Sequence, residues 1–301
     1  NGNGEMTGSH WIRETGAVDG PVMITNTHAV GAVHTGVVEW VARNRPDVAA
    51  EWLLPVVAET WDGYLNSINE SFVTAAHAVE AIDAAASGPV AEGSFGGGTG
   101  MSCYGFKGGN GTASRIVEFG EWSYTVGIFL QANFGDRSEF SINGLPLGDL
   151  DVPDPEGDLE WFYGEKSTGR IPGGAGSVIV IVATDAPMIP GQCEALARRV
   201  PLGLARTGTT GGHLSGDIFL ALSTANAGML DSGYPDGREE LRSLAMVPWN
   251  RMDPFFAAVV HGVEEAVLNA LVSNRTMTGR SGHTSYAMPH DLVAERLDRR
   301  S

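Results

Sequence analysis

The sequence predicts a layered α/β or α+β protein forming one domain over residues 1–301, and three observations carry that expectation. Helical patterns at 70–86 and 254–273 alternate with β-rich runs. The runs 122–132 and 177–183 turn continuously apolar, as strands covered on both faces do. A chain of 301 residues with 43% hydrophobic and 18% charged residues can also bury a large core.

Taken in order, residues 20–34 (GPVMITNTHAVGAVH) read as strand–turn–strand about Asn26, and a helix opens within 36–43. Residues 46–63 carry a mixed signal. The segment 70–86 is the clearest amphipathic helix, with Phe72, Ala75, Ala76, Val79 and Ile82 on one face and Ser87-Gly88-Pro89 as its stop. The glycine-rich block 93–111 precedes two strands, 113–119 and 122–132. Residues 136–176 hold much Pro, Gly and Asp and read as a long surface excursion. A strand at 177–183 leads to a helix at 190–203 and then to a Gly/Thr loop, 205–216, that runs into the strand Asp217–Ser223. The helix 254–273 follows, and 276–290 reads as loop.

Composition narrows the function. A net charge of −17 and an isoelectric point near 4.7 repel phosphate backbones and anionic headgroups, so neither nucleic acid nor membrane is expected as a partner. Such a surface suits cationic partners, substrates with a free amine among them, and equally serves solubility. Cys103 and Cys193 form no CxxC pair and suggest free thiols rather than a zinc site. No metal or organic cofactor is expected. No apolar run reaches the roughly 20 residues of a bilayer span. The start, NGNGEMTG, has neither an initiator methionine nor the shape of a signal peptide. A cytoplasmic location is the expectation, with periplasmic or secreted locations left open.

The glycine clusters do not make a nucleotide site. Gly164-Glu-Lys-Ser167 lacks the glycine that precedes lysine in a phosphate loop, and no cluster completes GxGxxG between a strand and a helix. Ser215 does not fit GxSxG either, because His213 stands where the first glycine belongs. A different chemistry fits. If the Leu214–Ser215 bond were cut, Ser215 would carry both a hydroxyl and an α-amine, whose pKa of about 8 leaves an appreciable neutral fraction near pH 7. That amine can take the hydroxyl proton, so one residue supplies nucleophile and base. The small residues of Thr207–Gly212 permit a strained turn, and Asp217 is placed to orient the new amine. The competing reading is a solvent-facing serine at a loop–strand junction.

Several segments resemble the DmpA-like and β-peptidyl aminopeptidase family: NGNGEMTG (1–8), ITNTH (24–28), GTGM (98–101), CYGFKGGNGTASR (103–115), QANFG (131–135), ATDAP (183–187), RTG (206–208), SGDIF (215–219), STAN (223–226) and MTGR (277–280). They span nearly the whole chain in the family's order. The resemblance implies an αββα sandwich of the N-terminal-nucleophile type. It implies self-cleavage before Ser215 into chains 1–214 and 215–301, and an oligomer, expected to be a tetramer of αβ units. The implied reaction is hydrolysis of the amide bond after an N-terminal residue, through an acyl-enzyme on Ser215. The substrates would be small peptides or aminoacyl amides and esters.

By the same resemblance Tyr104 matches the family's active-site tyrosine, the alternative being a core aromatic. Asp185 falls near an oxyanion-stabilising asparagine, although a carboxylate is a poor donor there. Asn133 is a fallback donor, or caps a turn. Gly98, Gly100 and Met101 would bind substrate. Apart from the resemblance, Glu5, Glu70 and Glu92 are carboxylates that could receive the substrate ammonium, but each reads first as a surface residue and none is placed in the site. Leu214 replaces the glycine or asparagine usual before the nucleophile, which makes a strained precursor costlier. Asn250 stands where some relatives carry an assisting carboxylate. Relatives carry a further segment upstream of NGNGEMTG, so the resemblance implies that one is missing here. The reading from a different class is an uncut homologue that binds small amines or assembles with a partner, and acyl transfer in place of hydrolysis is a third.

Overall fold

The computed structural model describes residues 2–154, 176–230, 232–235, 237 and 239–299. In chain order the main elements are α1 (Ser9–Thr15), β1 (Val22–Asn26), α2 (Val30–Asn44), β2 (Val56–Thr60), α3 (Ala75–Asp83), β3 (Gly109–Phe119), β4 (Trp122–Asn133), β5 (Gly176–Thr184), α4 (Pro190–Ala197), α5 (Val200–Ala205), β6 (Ser215–Ser223), α6 (Asp253–Val272) and α7 (His290–Asp298).

Four strands form one sheet in the order β6-β5-β4-β3. The β3–β4 and β4–β5 pairs are antiparallel, and β5–β6 is parallel with Ser215 opposite Gly176. Helix α6 covers the β3–β4 face, burying Phe255, Val259, Val263, Ala266, Val267, Ala270 and Leu271. At about 1.5–3 kcal/mol for each large apolar side chain buried, this seam is a principal source of stability. The parallel pair β1–β2 forms a second sheet that meets β5, and α2 lies on it together with α3. Helices therefore flank two inner sheets, the αββα layering expected from the resemblance.

Several local expectations need correction. Residues 27–34 are not a strand: Asn26 accepts a hydrogen bond from the Ala29 amide through its side chain and turns the chain into a short 3₁₀ segment and then α2, which takes in the helix expected from 36–43. The β-branched residues that suggested a strand, Val30 and Val33, form the buried stripe of α2 together with Val37 and Val41. Helix α3 spans only Ala75–Asp83, and Phe72, expected on its apolar face, lies before it and is exposed. The single helix expected at 190–203 is two, α4 and α5, separated at Arg198-Arg199 ahead of Pro201. The excursion 136–176 is not all surface, since Phe140, Leu147 and Leu150 belong to the core; residues 155–175 lie outside the described residues. Within 276–290, Met277–Thr278 pairs with Thr284–Ser285 as a small hairpin. Both cysteines are free thiols, Cys103 buried and Cys193 half-buried.

The apolar content of α6 exceeds what the sequence reading allowed. It is a described helix long and apolar enough to cross a membrane, with a mean hydropathy of 1.5. Its apolar side is instead spent on the sheet.

Gly111 sets how closely α6 approaches: a Cβ there would lie 1.9 Å from the Ala266 carbonyl oxygen. Gly111→Val should therefore push helix from sheet and cost about 3 kcal/mol in urea unfolding; a loss under about 0.5 kcal/mol would show that this contact does not constrain the fold.

Candidate active site

Ser215 is the first residue of β6 and is 2% exposed, whereas Leu214 before it is 42% exposed. The bond between them thus sits where a surface loop enters the sheet. The Ser215 amide donates to the Gly212 carbonyl at 3.0 Å, closing a tight turn immediately before that bond. Side chains two apart on a strand share a face, and the Ser215 hydroxyl donates to Asp217 Oδ1 at 2.5 Å. Burial pushes the Asp217 carboxyl above the usual carboxylate range, and the Ser215 hydrogen bond offsets part of that shift. A carboxylate raised in this way is a better proton acceptor near neutrality. The sequence reading placed Asp217 beside the future amine; the structure places it on the hydroxyl.

The N-terminal segment reaches the same point. Met6 bridges to Ala58, the Thr7 amide donates to the Val57 carbonyl at 2.9 Å, and the Glu5 amide donates to Glu59 Oε1 at 2.9 Å. So anchored along β2, the segment brings Asn3 Nδ2 to 2.7 Å from the Leu214 carbonyl oxygen. Gly216 permits the approach, since a Cβ there would stand 2.4 Å from the Asn3 carbonyl oxygen. Glu59 is buried and also accepts from Thr27 Oγ1.

Tyr104 is fully buried and packs against Phe134 and Phe140. Its hydroxyl nevertheless lies 2.7 Å from Thr207 Oγ1 and accepts from the Thr209 amide at 3.1 Å, holding the loop that ends at Leu214. Burial raises its pKa, so it stays a neutral phenol. Its φ of 53° is in the left-handed region, a strained placement for an aromatic residue. Leu214 is not among the described non-glycine residues with positive φ.

Asn133 is at the same end of the sheet. Its Nδ2 donates to the Trp61 carbonyl at 2.7 Å and its Oδ1 accepts from the Ser102 amide at 2.9 Å. It joins three segments and, contrary to expectation, is not presented as an oxyanion donor. Trp61 in turn donates its amide to Ser177 Oγ at 3.1 Å, one residue along β5 from the partner of Ser215. Next to Trp61, the buried Asp62 accepts from Asn26 and Asn66 through Oδ2, while Oδ1 has no hydrogen-bond partner among the described residues. Burial raises its pKa. Asp62, Asn26, Asn66, Thr99 and Gly100 line a cavity of about 580 Å³. Gly98 and Gly100 pack on Asn110 and Asp62 respectively. Met101 is fully buried, its sulfur accepting from Thr60 Oγ1, so it supports the cavity's loop from behind. Lys107, also fully buried, fastens that loop by donating to the carbonyls of Gly98, Met101 and Gly108.

Two expected site residues lie elsewhere. Asp185 follows Thr184, which pairs with Ser223 at the far end of β6; at ~3.3 Å per residue, Asp185 is roughly 30 Å along the sheet from Ser215. There it accepts from the Thr125 amide at 2.7 Å. Asn250 is exposed in the 3₁₀ turn Trp249–Arg251, beside a segment bonded to Pro187 and Gln192 at that same far end. Glu92 is taken by Thr112. Sequence reasoning assigned no role to Asn3, Glu59, Asp62 and Lys107: Asn3 and Lys107 lie inside the family-like segments 1–8 and 103–115, and Glu59 and Asp62 lie in the stretch of mixed signal, 46–63.

The family model described as peptidase family S58 matches residues 1–285. A β-peptidyl aminopeptidase, BapA of Sphingosinicella microcystinivorans, is 47% identical over 294 residues, covering 96% of this chain and 72% of that protein. Among solved structures, an L-aminopeptidase D-Ala-esterase/amidase from Ochrobactrum anthropi superposes with a TM-score of 0.88 at 42% identity, covering 100% of this chain and 79% of that one. That structure is described as a prototype of the serine aminopeptidases and a variant of the N-terminal-nucleophile hydrolase fold. A β-aminopeptidase from a Burkholderia species superposes with a TM-score of 0.86 at 40% identity, covering 99% and 79% of the two chains.

Because its folded pKa is raised, Asp217 favours the native state most at low pH, and that contribution is lost as pH rises through the folded value. Asp217→Asn should therefore gain stability relative to the parent between about pH 4 and about pH 7, read by urea unfolding at each. A parent that outgains the variant over that range contradicts the buried-carboxylate assignment.

Proposed function

The chain belongs to peptidase family S58, and from that membership we propose that it is a self-processing serine aminopeptidase with Ser215 as its nucleophile. Its fold is that of the N-terminal-nucleophile hydrolases, and it is a hydrolase acting on peptide bonds. One observation carries the finer reading: Ser215 starts a buried strand directly after an exposed loop, with its hydroxyl already donating to a carboxylate.

In this reading the precursor cuts itself by an N-to-O acyl shift. Ser215 Oγ bonds to the Leu214 carbonyl carbon as its proton passes to Asp217, and the carbonyl electron pair moves onto oxygen. When that pair returns, the C–N bond breaks, the proton goes to the departing nitrogen, and an ester links Leu214 to Ser215. Water then releases the Leu214 carboxylate and leaves Ser215 as a chain start. From there the α-amine serves as base for its own hydroxyl in turnover. The substrate's acyl group transfers to Oγ, the amine product departs, and water clears the ester.

The substrates are peptides, amides or esters with a free N-terminal amine, drawn from L-, D- or β-aminoacyl groups. The names of the relatives support that class, and so does the cavity with Asp62 in its wall, where a carboxylate complements an ammonium. The active form is an oligomer. The exposure of Ile116 and Trp122 on the hairpin that ends the sheet at β3 supports an assembled state, since an open edge bearing large apolar residues favours pairing.

Purified full chain should run on denaturing gels as two bands, residues 1–214 and 215–301, the smaller beginning Ser-Gly-Asp-Ile by Edman sequencing. Ser215→Ala should stay uncut and lose turnover of aminoacyl p-nitroanilides by at least about 10³-fold, in the range seen when a nucleophile is removed. A parent chain that remains whole and inactive would leave only the amine-binding homologue.

A further inference from the structure

We infer that Asn3 is the oxyanion donor of self-cleavage: its side-chain amide stabilises the charge that develops on the Leu214 carbonyl oxygen during the acyl shift. The inference rests on the self-processing reading above and adds a residue that lies 211 positions from the bond it serves.

Attack by Ser215 Oγ on the Leu214 carbon puts a negative charge on the Leu214 oxygen until the C–N bond breaks. That charge needs a hydrogen-bond donor already in place, because reorganising one during the step costs most of what it would contribute. Asn3 Nδ2 stands 2.7 Å from that oxygen before the reaction begins. Its position is set by more than its own contact. Residues 5–7 are anchored to β2 by the Glu5–Glu59, Met6–Ala58 and Thr7–Val57 interactions. On the opposite side, the missing side chain of Gly216 lets the backbone at Asn3 and Gly4 close to van der Waals contact with the strand start. The other asparagine near the sheet end, Asn133, is engaged with Trp61 and Ser102. The base and the donor therefore take different atoms of one reaction: Asp217 receives the Oγ proton, and Asn3 holds the oxygen.

The test is the rate of cleavage of freshly synthesised chain, followed by pulse–chase in cell-free translation on denaturing gels. The parent, Ser215→Ala, Asn3→Ala and Asn3→Asp are compared, and native folding is checked by circular dichroism. The expected order is parent fastest, Asn3→Ala slower by at least about tenfold, and Asn3→Asp slower still, because a carboxylate opposes the oxyanion. Loss of one such donor costs about 10²–10³ in rate where it has been measured in enzymes. Asn3 is exposed, so both variants should keep the parent's spectrum. Cleavage of Asn3→Ala within about twofold of the parent, with Ser215→Ala uncut, would overturn the donor role and leave self-processing intact. Cleavage of Asn3→Asp as fast as Asn3→Ala would also overturn it, since the effect would then not be electrostatic. A parent that never cuts removes the reading on which the donor depends.

Discussion

The register of β6 against β5 is the constraint on which the site depends. Parallel pairing puts Ser215 opposite Gly176 and runs unbroken to Ser223 opposite Thr184. Because strand side chains alternate with a period of two, a slip of one residue would turn both Ser215 and Asp217 to the opposite face. The same register places the preceding peptide bond at the sheet edge, where the Asn3 segment and the Gly212 turn both reach it. Ser215, Asp217 and the Leu214–Ser215 peptide bond are thus set together by one ladder of backbone hydrogen bonds.

Around that ladder the protein places buried polar groups that are costly by themselves. Asp217 and Asp62 have raised pKa values because they lie out of water, and Glu59 is buried beside the N-terminal segment. Lys107 is enclosed without an exposed face and held by three carbonyls. Natural cores retain such groups where stability is exchanged for function. Tyr104 shows the same exchange in its backbone: a left-handed φ in a fully buried aromatic aims its hydroxyl at the loop that ends at Leu214.

The failed expectations share a cause. Asp185 and Asn133 both lie in segments that resemble the family's, yet only Asn133 reaches the Ser215 end of the sheet. The difference is strand direction: β5 starts at the site and carries Asp185 away from it, while the antiparallel β4 ends beside the site. Similarly, Val30 and Val33 suit a strand by propensity, but the Asn26 cap and packing on α3 hold them as a helix.

What the sequence determined by itself was whatever depends on neighbours along the chain. The 3.6-residue stripe of α6, the apolar run of β4 and the strand from Asp217 to Ser223 are all local patterns, and each was legible without coordinates, whereas Ser215 and Gly216 read as loop and open β6. Only the tertiary structure decided which polar side chains converge on the Leu214–Ser215 bond. Asn3 lies far from Ser215 in sequence and comes near it only through the pairing of the N-terminal segment with β2. A single polar side chain has no periodicity, and its role follows from the depth, direction and partners that the fold imposes on it.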